Sequence, residues 1–109
     1  MKQLEVYFND AKAGILTEQH SGSGYSFQYC EEYLGSSMPP ISATLPKRAD
    51  AFCSEQLFPF FSNMIPEGAN RRVICRSLKI DERDIFGLLE AMANRVFIGA
   101  VNVRRTVNV

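Results

Sequence analysis

Few side chains in this sequence have the type and spacing for chemistry. Cys30, Cys53 and Cys75 could ligate a metal or form a disulfide, His20 could serve as a general base, and the adjacent Glu31 and Glu32 could share acid and base roles. Gly22-Ser-Gly24-Tyr-Ser-Phe27 begins like a glycine loop that cradles phosphate. Each of these readings lacks a part. Three cysteines without a Cys-x-x-Cys pair supply neither a disulfide framework nor zinc-ligand spacing. His20 has no identified nucleophile or carboxylate partner, and neighbouring acids rarely face one pocket. The glycine loop lacks its third glycine, and no Gly-Lys-Ser/Thr, His-Arg-Asp or Asp-Phe-Gly triplet follows. The expectation is a protein with no catalytic residues, no metal site and no cofactor, which is not an enzyme.

The signal that rises above this background is aromatic. Eight Phe and four Tyr, with no Trp, are more than one small core readily absorbs, and three of them, Phe58, Phe60 and Phe61, fall in or beside Pro59-Phe-Phe-Ser-Asn-Met-Ile-Pro-Glu-Gly68. Consecutive helical residues point about 100° apart, so Phe60 and Phe61 cannot both face the centre of one narrow stripe. Either part of this set is exposed for a partner, or all of it packs beneath a sheet.

The elements that must position these residues follow from local pattern. Leu4 to Phe8 reads as a strand, the turn formers Asn9-Asp10 follow, and Ala13 to Thr17 reads as its hairpin partner. Ser21 to Gly24 is a second turn, and Tyr25, Phe27 and Tyr29 alternate with polar residues on a third strand. Pro39, Pro40 and Pro46 make residues 35–49 an extended connection, with a short edge strand expected over Ile41 to Leu45. From Phe52 the pattern turns towards helix. Pro59 fits a first helical turn, and Pro66 ends that helix after Asn63. A second helix is predicted after Gly68, with Val73, Ile74 and Leu78 inward and its arginines towards solvent. A third carries Ile85, Leu88, Leu89 and Met92 on one face, with Asp81 as its predicted N-cap. Phe97 to Val103 is expected to close the sheet against the first strands.

Composition bounds the rest. With 109 residues, 46% apolar and 22% charged, the sequence fits a single folded domain over 1–109. Twelve basic and twelve acidic residues cancel, which removes the positive field that a protein gripping many phosphates uses. Direct nucleic acid binding is therefore not expected. The start, Met-Lys-Gln-Leu-Glu-Val, runs into a strand without a signal-peptide core, and no apolar run reaches about 18 residues. Neither membrane attachment nor targeting is expected, and the cysteine usage fits a reducing cytoplasm. The predicted class is α+β: a small antiparallel sheet, built from the N-terminal meander and a late closing strand, with about three helices packed on it.

The run Pro59 to Gly68, with Arg71 and Arg72, resembles the "PFFxNLLPEGxxR" signature of the N-terminal subdomain of HipA-type serine/threonine kinases, the toxins of bacterial toxin–antitoxin systems. Val6-Tyr7 with Gly14-Ile15-Leu16, Phe27-Gln-Tyr29, and Ile41-Ser42-Ala-Thr-Leu45-Pro46 are similar to further landmarks of that family in order and spacing. So are Asp84 to Leu89 and Ile98 to Val101. The sequence departs where the family often has an aspartate, reading Asn94-Arg95-Val96-Phe97. In the full-length kinases, ATP-binding and catalytic residues lie beyond this subdomain.

The resemblance therefore implies a domain without the catalytic machinery, similar to the HipS-type antitoxins of tripartite HipBST systems, where a shortened kinase of the HipT type is encoded separately. It implies such a kinase as partner, with a HipB-like helix-turn-helix protein as a candidate third component. The residues it suggests at the interface are Phe60, Phe61, Asn63, Met64, Ile65, Glu67 and Arg71, with Met64 and Ile65 as apolar anchors. Alternatively, the Pro-Glu-Gly turn is a structural link in which Glu67 caps the next helix. Three other roles stay open: a subunit that completes the kinase fold, a DNA-complex component using Arg71, Arg72, Arg104 and Arg105, or a piece of a larger kinase.

Overall fold

The structure is a computed structural model, and it describes residues 1–65, 68–93, 95 and 97–106. Three strands come first: β1 (Lys2–Phe8), β2 (Ala11–His20) and β3 (Ser23–Tyr29). A short α1 (Glu31–Leu34) leads into the proline-rich connection, followed by β4 (Phe52–Ser54) and α2 (Pro59–Ser62). Then come α3 (Gly68–Leu78), α4 (Ile85–Ala91), β5 (Phe97–Ile98) and β6 (Val101–Arg105). The six strands form one antiparallel sheet in the order β4-β3-β2-β1-β6-β5. This is the expected α+β meander with a late strand, β6, added beside β1.

Strand alternation builds the core. Leu4 lies opposite Leu16, Leu16 opposite Phe27, and Val6 opposite Val103, so apolar residues from four strands share a single face. These side chains are fully buried, as are Phe61, Phe86 and Leu89 of the helices that cover them. The other face carries a polar network. Glu5 pairs with Lys12 at 3.2 Å, Tyr7 Oη donates to Glu5 Oε1 at 3.1 Å, and the Arg104 guanidinium stacks 3.9 Å from the Tyr7 ring. Gly14 has no side chain for a steric reason: a Cβ there would lie 2.3 Å from the Gln28 carbonyl oxygen and 2.9 Å from the Phe27 ring.

Several local expectations are corrected. Ile41 to Leu45 is not an edge strand. It makes an isolated bridge between Ser42 and Leu45, and it buries Ile41 and Leu45 because tyrosine hydroxyls hold this connection from inside. Tyr29 Oη donates to the Leu45 carbonyl and accepts from Ile41 N–H, and Tyr33 Oη donates to the Pro39 carbonyl. Lys47 Nζ closes the connection by donating to the Ser36 and Met38 carbonyls at 2.9 Å each. Phe52, expected to begin helical character, instead starts the edge strand β4, opposite Phe27. The cap of α4 is Asp84, whose Oδ1 accepts from Gly87 N–H at 3.0 Å. Asp81 accepts from Arg83 N–H and its guanidinium, which hold its carboxyl below the usual range. The closing segment splits at Gly99-Ala100 into two strands, with Gly99 at a φ of 58°. Helix α1 was not anticipated. Pro66, expected to end α2, lies outside the described residues, as do Asn94 and Val96.

Candidate partner-binding surface

Pro59 opens α2, where its missing N–H is one of the orphan donors of a first turn. The single turn that follows aims Phe61 into the sheet, 5.8 Å from Phe27 between ring centroids. Phe58 and Phe60 surround it edge-on at 6.3 and 5.3 Å. Phe61 is fully buried, and Met64 and Ile65 are 7% and 3% exposed. Thus three of the expected contact residues, including both apolar anchors, are core side chains in this fold. Their surface is consumed by the domain itself, which answers the crowding of large side chains around one turn. Phe60 is half-buried, Asn63 is exposed and Arg71 is half-buried; Glu67 lies outside the described residues.

Exposed apolar surface appears instead on the next helix. α3 begins at Gly68, whose φ of 65° only glycine adopts easily, and of its eleven residues only Cys75 is buried. The expectation that Val73 and Leu78 face inward is overturned: they are 65% and 43% exposed. Val73, Ile74, Ser77 and Leu78 line one side of an open cleft of about 350 Å³, and Met92 and Arg95, just beyond α4, line the other. Arg72 and Arg76 are exposed on the same helix. Neither these two nor Arg95 takes part in the ion pairs formed among the described residues. Sequence reasoning found this apolar spacing but assigned it to the core, because periodicity shows that a helix has an apolar stripe and not what covers it.

The candidates for chemistry stay apart. His20 is exposed at the end of β2, and Glu31 and Glu32 are exposed at the start of α1. Cys53 is exposed on the edge strand, Cys30 is half-buried and Cys75 is buried, and all three are free thiols. Burial pushes the Cys30 and Cys75 thiols up, away from the thiolate that a nucleophile requires. No group of three or more His, Cys, Asp or Glu side chains among the described residues is placed to hold a metal ion. A buried acid that sequence reading passed over is Glu18. It accepts from Tyr25 Oη at 2.9 Å and from Gly22 N–H at 3.3 Å, and burial with this bond pushes the Tyr25 phenol up to about 12. That pair pins the β2–β3 turn to the core. Arg104 and Arg105 also have internal partners: Arg104 reaches Asp10 at 3.4 Å, and Arg105 donates to the Glu90 carbonyl at 2.9 Å. No helix among the described residues is long and apolar enough to cross a membrane.

Comparison with known proteins adds four findings. The family described as HipA N-terminal domain (Couple_hipA) matches residues 4–104. An uncharacterized protein of Haemophilus influenzae is 33% identical over 100 residues, covering 92% of this chain and 89% of that protein. A Sinorhizobium fredii protein named "Putative kinase Y4mE" is 31% identical over 97 residues, but the chain spans only 23% of its length. Among solved structures, the N-terminal domain of HipA toxin superposes with a TM-score of 0.74 at 24% identity, over 100% of this chain and 96% of that one, a likeness of fold.

Proposed function

Because the chain belongs to the HipA N-terminal domain family, we propose that it is an antitoxin-type protein that binds and neutralises a separately encoded, shortened HipA-like serine/threonine kinase of the HipT type. One observation carries this reading. The sequence aligns over nearly the full length of a similarly sized relative, yet over less than a quarter of a protein named as a kinase. Supporting it, Val73 and Leu78, two of the four large apolar side chains exposed among the described residues, line a cleft suited to a protein partner, and the candidates for catalysis are dispersed.

Such a protein needs no chemistry of its own. It suppresses a kinase by binding an incompetent conformation more tightly than the competent one, and a preference of about 4 kcal/mol lowers the active population roughly a thousandfold. Phe61, Met64 and Ile65 then act as positioning residues that hold the α2 end in place. Of the expected contact residues among those described, Phe60, Asn63 and Arg71 keep surface for contact. A HipB-like helix-turn-helix protein joins as a third component in the same proposal, with the cytoplasm as its compartment.

A second reading has a specific observation in its favour. In the S. fredii protein the matching segment is part of one longer chain, as expected if the domain completes a kinase fold instead of blocking it. Autophosphorylation of the shortened kinase, measured with and without stoichiometric protein, separates the two. Suppression supports the antitoxin role; stimulation supports the completing subunit; an unchanged rate despite complex formation rejects both.

A further inference from the structure

On the sheet face opposite the core, register brings Tyr7 of β1, Asn102 of β6 and Phe97 of β5 into one row across three strands. Val101 and Val103 are buried in the core, so alternation along β6 turns Asn102 and Arg104 to this outer face. Phe97, Asn102 and Arg104, with Asn9 and Asp10 of the β1–β2 turn, line an open pocket of about 390 Å³. Asn102 is only 6% exposed. Its Oδ1 accepts from Arg104 Nε at 3.3 Å, but its amide nitrogen has no acceptor among the described residues. No side-chain nitrogen sealed from solvent among these residues lacks a partner, so this donor opens into the pocket. Beside it the Phe97 ring is 56% exposed, on a strand of two residues at the sheet edge. We propose that this pocket takes an extended segment of the kinase partner, which lays an apolar side chain on Phe97 and presents a peptide carbonyl to Asn102 Nδ2. The inference rests on the antitoxin reading above.

The unpaired donor and the local charge select this occupant. A molecule that covers an N–H without supplying an acceptor forfeits that group's hydrogen bond to water, so the occupant must carry an acceptor next to its apolar group. The acceptor must also be neutral. Arg104, the cation that lines the pocket, already stacks 3.9 Å from the Tyr7 ring and reaches Asp10 at 3.4 Å, and the Asp10 carboxylate is fully exposed at the rim. A phosphate or carboxylate would meet that carboxylate and compete with it for the guanidinium. A peptide carbonyl carries no net charge, and the N–H groups of the same segment find an acceptor in Asp10.

The test uses the full chain and the shortened HipA-like kinase from the same genome, with Kd measured by calorimetry. Asn102→Asp is nearly isosteric: it keeps the acceptor for Arg104 and replaces the free donor with an oxygen that repels a carbonyl. Phe97→Ala removes the exposed ring, and Glu55→Gln, exposed just beyond β4 at the opposite edge of the sheet, is the control. Thermal melting verifies that each variant folds, and Phe97→Ala decides alone if Asn102→Asp does not. Asn102→Asp and Phe97→Ala are each expected to raise Kd at least about tenfold, with Glu55→Gln unchanged. Asp10→Asn is expected not to tighten binding; tightening of about tenfold or more identifies an anionic occupant and overturns the neutral one. Undiminished binding by either folded variant, Asn102→Asp or Phe97→Ala, overturns the pocket and leaves the antitoxin reading standing. Absence of any wild-type complex overturns the antitoxin reading itself, and this inference with it. Self-association of the chain that Phe97→Ala abolishes, with the kinase complex unaffected, assigns the pocket to a second copy and also overturns this proposal.

Discussion

Phe61→Ala is the perturbation that most directly tests whether the signature residues are core. The ring is fully buried among Phe27, Phe58 and Phe60, and it belongs to a helix of a single turn with little stability of its own. Truncating a buried phenylalanine costs about 3–5 kcal/mol through lost transfer energy and the cavity left behind. A chain of this length has on the order of 5–15 kcal/mol in total, so the variant loses roughly a fifth or more of it. At about 4–8 °C per kcal/mol, the midpoint should fall by at least about 12 °C. With no Trp in the sequence, far-UV circular dichroism in urea is the suitable probe. Phe60→Ala, truncating a half-buried ring, should cost less than half as much. If Phe61→Ala unfolds within about 1 kcal/mol of wild type, the ring is not packed as described, and the assignment of this segment to the core fails.

Three further outcomes are expected. The Tyr25 phenol is raised from 10.0 to about 12, so the folded state holds its proton where the unfolded state releases it. That stabilisation is complete below pH 10 and declines as pH rises to 12, by about 2–3 kcal/mol, a slope that Tyr25→Phe should remove in urea titrations. Gly14→Ala should destabilise by about 2 kcal/mol or more, since the added methyl meets the backbone oxygen of Gln28; near-wild-type stability would disprove that close approach. Asp84→Ala should cost about 1 kcal/mol by removing the α4 cap. A Cβ at Gly87 would lie 2.2 Å from Asp84 Oδ2, so Gly87→Ala should cost markedly less when Asp84 is already alanine, a coupling measurable by a double-mutant cycle.

The sequence by itself determined the elements whose signal is local. Alternation put Tyr25, Phe27 and Tyr29 on one buried face, turn residues marked both N-terminal hairpins, and Leu88 and Leu89 showed the inward stripe of α4. The signature around Pro59 likewise led to the family. Tertiary structure decided what depends on neighbours distant in the chain. Ile41 to Leu45 was expected as the edge strand and Phe52 as the start of helical character; Phe52 to Ser54 took the edge instead, while tyrosine hydroxyls from β3 and α1 held the connection containing Ile41 to Leu45. Asp81 was read as the cap, and the position of α4 gave that role to Asp84 instead. Phe61 and Val73 both read as apolar helix residues, yet one is sealed beneath the sheet and the other faces solvent. Periodicity encodes that a side chain avoids water, whereas the surface that removes it from water exists only after the chain has folded, or after a partner has arrived.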